Sequence, residues 1–168
     1  MRRAAATALL MLAACSGDGT DEQAAAGPPD LETAAIERGL IRDPGDGDIS
    51  GLYTRDTDRV CIVRGPGGYR IGAFVDYGEG LSCAGRGVAT LVGNRLAIEF
   101  SAGNGSTCAF DAGFDGERIT FPAALPETCA RLCAQRASFA ALDVERVSGL
   151  RDEAATLRTA NGKKLCGD

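Results

Sequence analysis

The chain has 168 residues, a formal net charge of −5 and no histidine. That excludes Ser-His-Asp and Cys-His nucleophile pairs and histidine zinc sites, and an acidic chain is not drawn to nucleic acid by charge. Aromatic residues make up 5% and Trp is absent, which predicts a core resting mostly on Val, Ile, Leu and Ala.

The first fifteen residues contain the parts of an export signal. Arg2 and Arg3 precede an apolar run from Ala4 to Leu12, followed by Ala13, Ala14 and Cys15. Charge, short apolar run and small residues, in that order, mark a secretory signal. The run is too short to span a bilayer, which takes about 20 residues. Leu12-Ala13-Ala14-Cys15 resembles the lipobox of bacterial lipoproteins. The resemblance implies that the Cys15 thiol takes a diacylglyceryl group, that residues 1–14 are removed, and that the freed amine is acylated. In that class an Asp after the cysteine often signals inner-membrane retention. Here Ser16 follows, which favours the outer membrane, with the domain on the periplasmic side. Processing removes Arg2 and Arg3 and no acid, lowering the 18 basic side chains to 16 against 23 acidic ones.

Residues 15–30 comprise the acylated cysteine and a small, polar stretch broken by Gly27, Pro28 and Pro29. It cannot bury a core and is expected to serve as a flexible tether. The remainder, 31–168, is expected to form a single domain. Asp30 can cap a helix from Leu31 to Arg38, with Gly39 as its left-handed stop. The acidic loop Arg42 to Asp48 fails as a calcium site: counted from Asp43, an EF-hand's third, fifth and twelfth positions fall on Gly45, Gly47 and Thr54.

From Ser50 to Phe121 the period is two. Tyr69, Ile71, Ala73, Val75 and Tyr77 share a face opposite Arg70, Gly72, Phe74 and Asp76. Leu96, Ile98 and Phe100 alternate with Arg95, Ala97 and Glu99, and Cys108 falls with Phe110. Such alternation predicts strands, placed near 50–54, 58–64, 69–77, 83–92, 95–100, 107–112 and 117–121. Gly93-Asn94 and Asp115-Gly116 suit tight hairpins because Gly and Asn tolerate positive φ. The expected fold is mainly β, an antiparallel meander closing into a barrel of seven or eight strands, with short flanking helices and three disulfides.

Beyond Phe121, Pro126 is suited to start a short helix that places Cys129 and Cys133 on one face. Residues 137–147 read either as a last strand, with Leu142, Val144 and Arg146 on one side, or as a helix. Ser148 can cap a final helix carrying Leu150, Ala154 and Leu157 and stopping at Asn161-Gly162. The tail through Lys164 would be loose unless Cys166 ties it down.

With Cys15 assigned to lipid, Cys61, Cys83, Cys108, Cys129, Cys133 and Cys166 form an even set of six, the pattern of three disulfides in an exported domain. The expected pairing joins Cys83 to Cys108 within the sheet and sends Cys129 and Cys133 to Cys61 and Cys166. Cys129-x-x-x-Cys133 has zinc-like spacing, but no second close pair completes four ligands. No cofactor is expected.

Other near-motifs stop short. Gly65-Pro66-Gly67-Gly68 lacks the Gly-Lys-Ser/Thr of a phosphate loop, and Gly78-x-Gly80 and Gly85-x-Gly87 lack the third glycine of a dinucleotide fingerprint. Asn104-Gly105-Ser106 is a glycosylation triplet without obvious meaning in a bacterial lipoprotein. Glu99, Asp111, Asp115 and Glu117 are the carboxylates available for glycoside hydrolysis, but the strand register turns Glu99 and Asp111 toward solvent, where they make poor acids. Residues 55–59, Arg-Asp-Thr-Asp-Arg, read as a charged strand entrance.

Ser50-Gly51-Leu52-Tyr53 is similar to the Ser-Gly-x-x-Tyr element of membrane-bound lysozyme inhibitors, small lipid-anchored barrels. Here the Tyr stands one position early, and that family's aromatic-rich later strand has no counterpart. The sequence thus supports a bacterial envelope lipoprotein, held to the membrane by its N-terminal lipid, without enzymatic activity. Its domain is expected to bind a protein or a small apolar ligand, the alternatives being an inhibitor of a basic hydrolase such as lysozyme and a structural envelope protein.

Overall fold

A computed structural model describes residues 30–38 and 47–167. The signal, lipobox, Cys15, tether, Gly39 and most of the acidic loop lie outside the described residues. The chain divides into two units, Met1–Leu40 and Ile41–Asp168. In the first, helix α1 spans Leu31–Glu37. Asp30 caps it as expected: its Oδ1 accepts from the Thr33 amide at 2.9 Å, satisfying a helix-end donor and holding the Asp30 carboxyl below its usual range.

The second unit is a closed barrel of eight antiparallel strands in sequence order. They are β1 (Gly51–Arg55), β2 (Asp58–Gly65), β3 (Gly68–Asp76), β4 (Ser82–Val92), β5 (Arg95–Ser101), β6 (Thr107–Phe114), β7 (Arg118–Thr120) and β8 (Asp143–Ser148). β8 pairs with β1 to close the ring, with a register shift between Leu52 and Tyr53. The segment at 137–147 resolves in favour of the strand, which begins only at Asp143; before it, Phe139 is driven into the core. Residues 55–59, read as a strand entrance, are the first hairpin: Asp56-Thr57 is its turn, with Asp56 at φ 50°.

Eight strands enclose a space that side chains can fill, and here they fill it. Tyr53, Phe100, Phe121 and Phe139 are fully buried. Phe100 lies 5.7 Å from Phe139, and Phe110 lies 4.8 Å from Phe121, centroid to centroid. The expectation of an aliphatic core is therefore only half right. Phenylalanines are scarce in the chain, yet four of its six meet near one end of the barrel.

That end is shut by the connection from β7 to β8. Its 3-10 helix, Glu127–Leu132, carries Cys129 to Cys108 on β6, and Cys133 bonds Cys83 on β4. Cys129 and Cys133 do not share an α-helical face: the helix is 3-10 and ends before Cys133, whose backbone is extended. The expected Cys83–Cys108 bond is also wrong. Once the barrel coils, β4 and β6 are separated by β5, and each presents its cysteine to the lid instead.

The opposite end is shut by Tyr53, which donates to the Ile49 carbonyl at 2.8 Å, and by Arg146. Arg146 follows Val144 inward as the period requires, and its side chain is 5% exposed. Its guanidinium sits 4.9 Å over the Tyr53 ring and donates to the Gly116 carbonyl at 2.9 Å.

β2 is buried on both faces. Val60 and Ile62 point into the barrel, while Cys61 and Val63 lie under the C-terminal segment with Ala154, Leu165 and Cys166. The third disulfide, Cys61–Cys166, ties that segment down. The final helix, α2, spans only Arg151–Ala155, with Leu150 rather than Ser148 at its N-cap. It stops early because the chain turns back on itself, Arg158 bridging Lys164, to bring Leu165 and Cys166 onto the sheet. Among the described residues, no helix is long and apolar enough to cross a membrane.

Candidate functional site

A filled barrel with both ends shut leaves the outside as the place for chemistry. β4 is the long strand there, and its period sets Ala84, Arg86, Val88, Thr90 and Val92 outward. Gly85 and Gly87 face inward. A Cβ on Gly87 would sit 1.8 Å from the Glu99 carbonyl oxygen, and one on Gly85 would sit 3.0 Å from the Phe100 ring. The Gly-x-Gly pair thus serves close packing of strand on strand.

Over β4 lies a groove of about 530 Å³, lined by Arg70, Ala84, Arg86, Val88, Lys163 and Leu165, with Gly87, Ser101 and Thr159 completing the wall. Arg70 pairs with Val88 across β3 and β4, and Arg86 pairs with Gly72, so the two arginines are diagonal neighbours on the outer face. Arg86 Nε donates to the Leu165 carbonyl at 3.2 Å, which aims the guanidinium along the groove. Lys163 comes from the disulfide-held C-terminal segment. Two smaller hollows continue the groove through Val88, one toward the Gly65–Gly68 hairpin and one toward Ser106 and Thr107. Among the described residues lining the main groove, three are cationic and none is a carboxylate. In a chain with an acidic balance this is a local inversion of charge.

The expected site residues are dispersed or occupied by structure. All six domain cysteines are consumed in the three bridges, so the sulfurs of Cys129-x-x-x-Cys133 are taken. Glu99 and Asp111 are exposed on β5 and β6, as the register predicts, and Asp111 lies 4.0 Å from Arg95. Asp115 accepts the Glu117 and Arg118 amides in a turn, which hold its carboxyl below the usual range. Glu117 faces Arg146 at 3.7 Å. Sequence reasoning missed the groove; its only signal was the basic, outward-alternating Arg70 and Arg86.

A second cluster closes the seam of the barrel. Asp143 accepts from Arg55 at 2.7 Å, Arg118 at 2.8 Å and Thr120 at 3.1 Å, while Arg118 also pairs with Glu145. Burial works to raise the Asp143 pKa, but the Arg118 and Thr120 hydrogen bonds and the Arg118 and Arg55 charges outweigh it, and the net direction is down. A carboxyl with a lower pKa folded than unfolded stabilises above its unfolded value, about 3.9, and loses that contribution as pH falls through the folded value. Asp143→Asn should therefore flatten the acid side of the stability curve below about pH 4. Urea midpoints of mutant and wild type that stay parallel down to low pH would contradict this.

Compared with protein families, curated proteins and solved structures, the chain matches none.

Proposed function

We propose that the chain is a lipid-anchored, non-catalytic binding domain of the bacterial envelope, on the periplasmic side and held to the outer membrane through Cys15. The observation that carries the binding mode is the pairing of a filled barrel with an external groove. A small apolar ligand has no room inside, so recognition belongs to the outer face around β4. Concave sites with a few charged groups on an apolar floor are the usual form of such surfaces. The six cysteines, all paired, suit an oxidising compartment.

Two measurements on intact cells test the reading. Radioactive palmitate should label the wild-type chain and not Cys15→Ser; absence of label on wild type removes the anchor. A photo-crosslinking residue in place of Val88, 52% exposed in the groove, should form adducts that the same residue at Val147, 59% exposed on β8, does not. Equal yields at the two positions would remove the groove as the binding face.

One feature favours the inhibitor of a basic hydrolase as a second reading. The turn carrying Asp56 and the β3–β4 turn carrying Glu79 meet at one end of the barrel, where Thr57 donates to the Asp76 carbonyl at 2.7 Å. Tyr77 stands exposed among them; burial and then the Asp58 charge raise its pKa. An acidic rim around an aromatic side chain suits a basic partner.

A further inference from the structure

We propose that the β3–β4 groove binds a phosphate-bearing ligand, its phosphate oxygens held by Arg86 and Lys163 beside Arg70, its apolar part over Val88 and Ala84. The inference rests on the reading of the outer face as the binding surface and adds the chemistry of what it takes.

A guanidinium presents a planar fork of N–H groups, and an ammonium adds three rotatable donors. A carboxylate, with one charge and two oxygens, is matched by a single guanidinium. A phosphate monoester carries about −1.5 to −2 at neutral pH and three acceptor oxygens, enough for Arg86 and Lys163 together. The Nε of Arg86 is spent on Leu165, leaving its terminal nitrogens to face the ligand. The Ser101 hydroxyl lines the same wall. The groove is also held in place: Lys163 and Leu165 are fixed relative to β3 and β4 by the Cys61–Cys166 bridge and by the seat of Leu165 over Gly72. Donors set on a rigid frame lose little freedom on binding. The floor of Val88 and Ala84 then accommodates an uncharged continuation of the ligand.

Calorimetric titration of the full chain in uncharged detergent with inorganic phosphate tests this. Saturable binding is expected, weakened about tenfold by Lys163→Gln and by Arg86→Gln, the loss of one charge-assisted hydrogen bond. Arg95→Gln, on β5 beside Asp111 and outside the groove, should leave it unchanged. Affinity should rise from pH 5 to pH 8 as inorganic phosphate gains its second charge near neutral pH, whereas acetate should show no such rise. Among the described residues, the charged groups lining the groove are Arg70, Arg86, Lys163 and, in the adjoining hollow, Glu99. With no histidine in the chain, a transition near neutral pH belongs to the ligand.

The Cys15→Ser chain, which has no acyl groups to insert, separates the sources of phosphate. Preference for phosphatidic acid, a phosphomonoester, over phosphatidylglycerol vesicles, lost with Lys163→Gln, identifies a lipid headgroup. Phosphate binding without that preference identifies a soluble phosphoester. No saturable phosphate binding at millimolar concentration, wild-type affinity in both groove variants, or acetate matching phosphate across the pH range would each overturn the proposal. If phosphate fails while Val88 adducts persist in cells, the ligand class is wrong and the binding face stands; if both fail, the face is wrong too.

Discussion

Replacing Cys61 and Cys166 together by serine is expected to lower stability by roughly 4–5 kcal/mol, on the chain-entropy relation for a long closed loop. The bridge spans 105 residues of sequence, against 21 for Cys108–Cys129. On the same relation the shorter loop is worth about 3 kcal/mol, so the order of the two losses is itself a prediction. The Cys61–Cys166 bridge also fastens the C-terminal segment to the outside of β2 and β3. A Cβ on Gly72 would meet Leu165 Cβ at 2.6 Å and Cys61 Sγ at 2.9 Å, so the segment sits flush on the sheet only because Gly72 has no side chain. Without the bridge, Val63, Ala154 and Leu165 become accessible to water and the small second core is lost. Urea unfolding should show the lower midpoint, and hydrogen exchange should accelerate at Leu165, whose amide donates to the Leu157 carbonyl at 2.9 Å. Unchanged protection there, or a larger loss on breaking Cys108–Cys129, would contradict this account.

Phe100→Ala is expected to cost about 3–5 kcal/mol, the range for emptying a buried aromatic site. Phe100 is fully buried and is neighbour to three other phenylalanines, at 6.0, 6.4 and 5.7 Å. The surrounding walls cannot collapse easily. Two are disulfide-held, through Cys108 on the adjacent strand and Cys83 on β4. Its ring also lies over Gly85, where an added Cβ would come within 3.0–3.1 Å of ring atoms. The two positions should therefore couple. Gly85→Ala alone should destabilise by crowding the ring; combined with Phe100→Ala, the same methyl enters the vacated space and should recover part of the loss. Strict additivity of the two substitutions in a double-mutant cycle would show that Gly85 does not serve to make room for the Phe100 ring.

Much of the barrel could be read from the chain because strand alternation is a local property. Successive side chains point to opposite faces whatever the partner strand is, so Leu96, Ile98 and Phe100 declare an inward face without any knowledge of β4 or β6. Turn chemistry is equally local: Gly93-Asn94 forms a two-residue link between β4 and β5, as its tolerance of positive φ predicts. The strand at 143–148 was ambiguous for the same reason. Residues 137–142 carry no clean period, because Phe139 and Leu142 enter the core from a turn.

The bridges and the groove were not legible in this way. Cys83 and Cys108 both sit on inward strand positions, but β5 intervenes, and the β7–β8 lid reaches each separately. The groove depends on Lys163, far along the chain, being brought beside Arg86 by the Cys61–Cys166 bond and by the glycine seat at position 72.

The order of strands, the inward faces and the helix cap at Asp30 were determined by the sequence alone, since each follows from steric and hydrogen-bonding preferences within a few residues. The pairing of the cysteines, the phenylalanine cluster, the two-sided burial of β2 and the basic groove were decided only by tertiary structure. Those features come from the distances left between remote segments once an eight-stranded sheet has coiled and closed on itself, and no local preference encodes a distance of that kind.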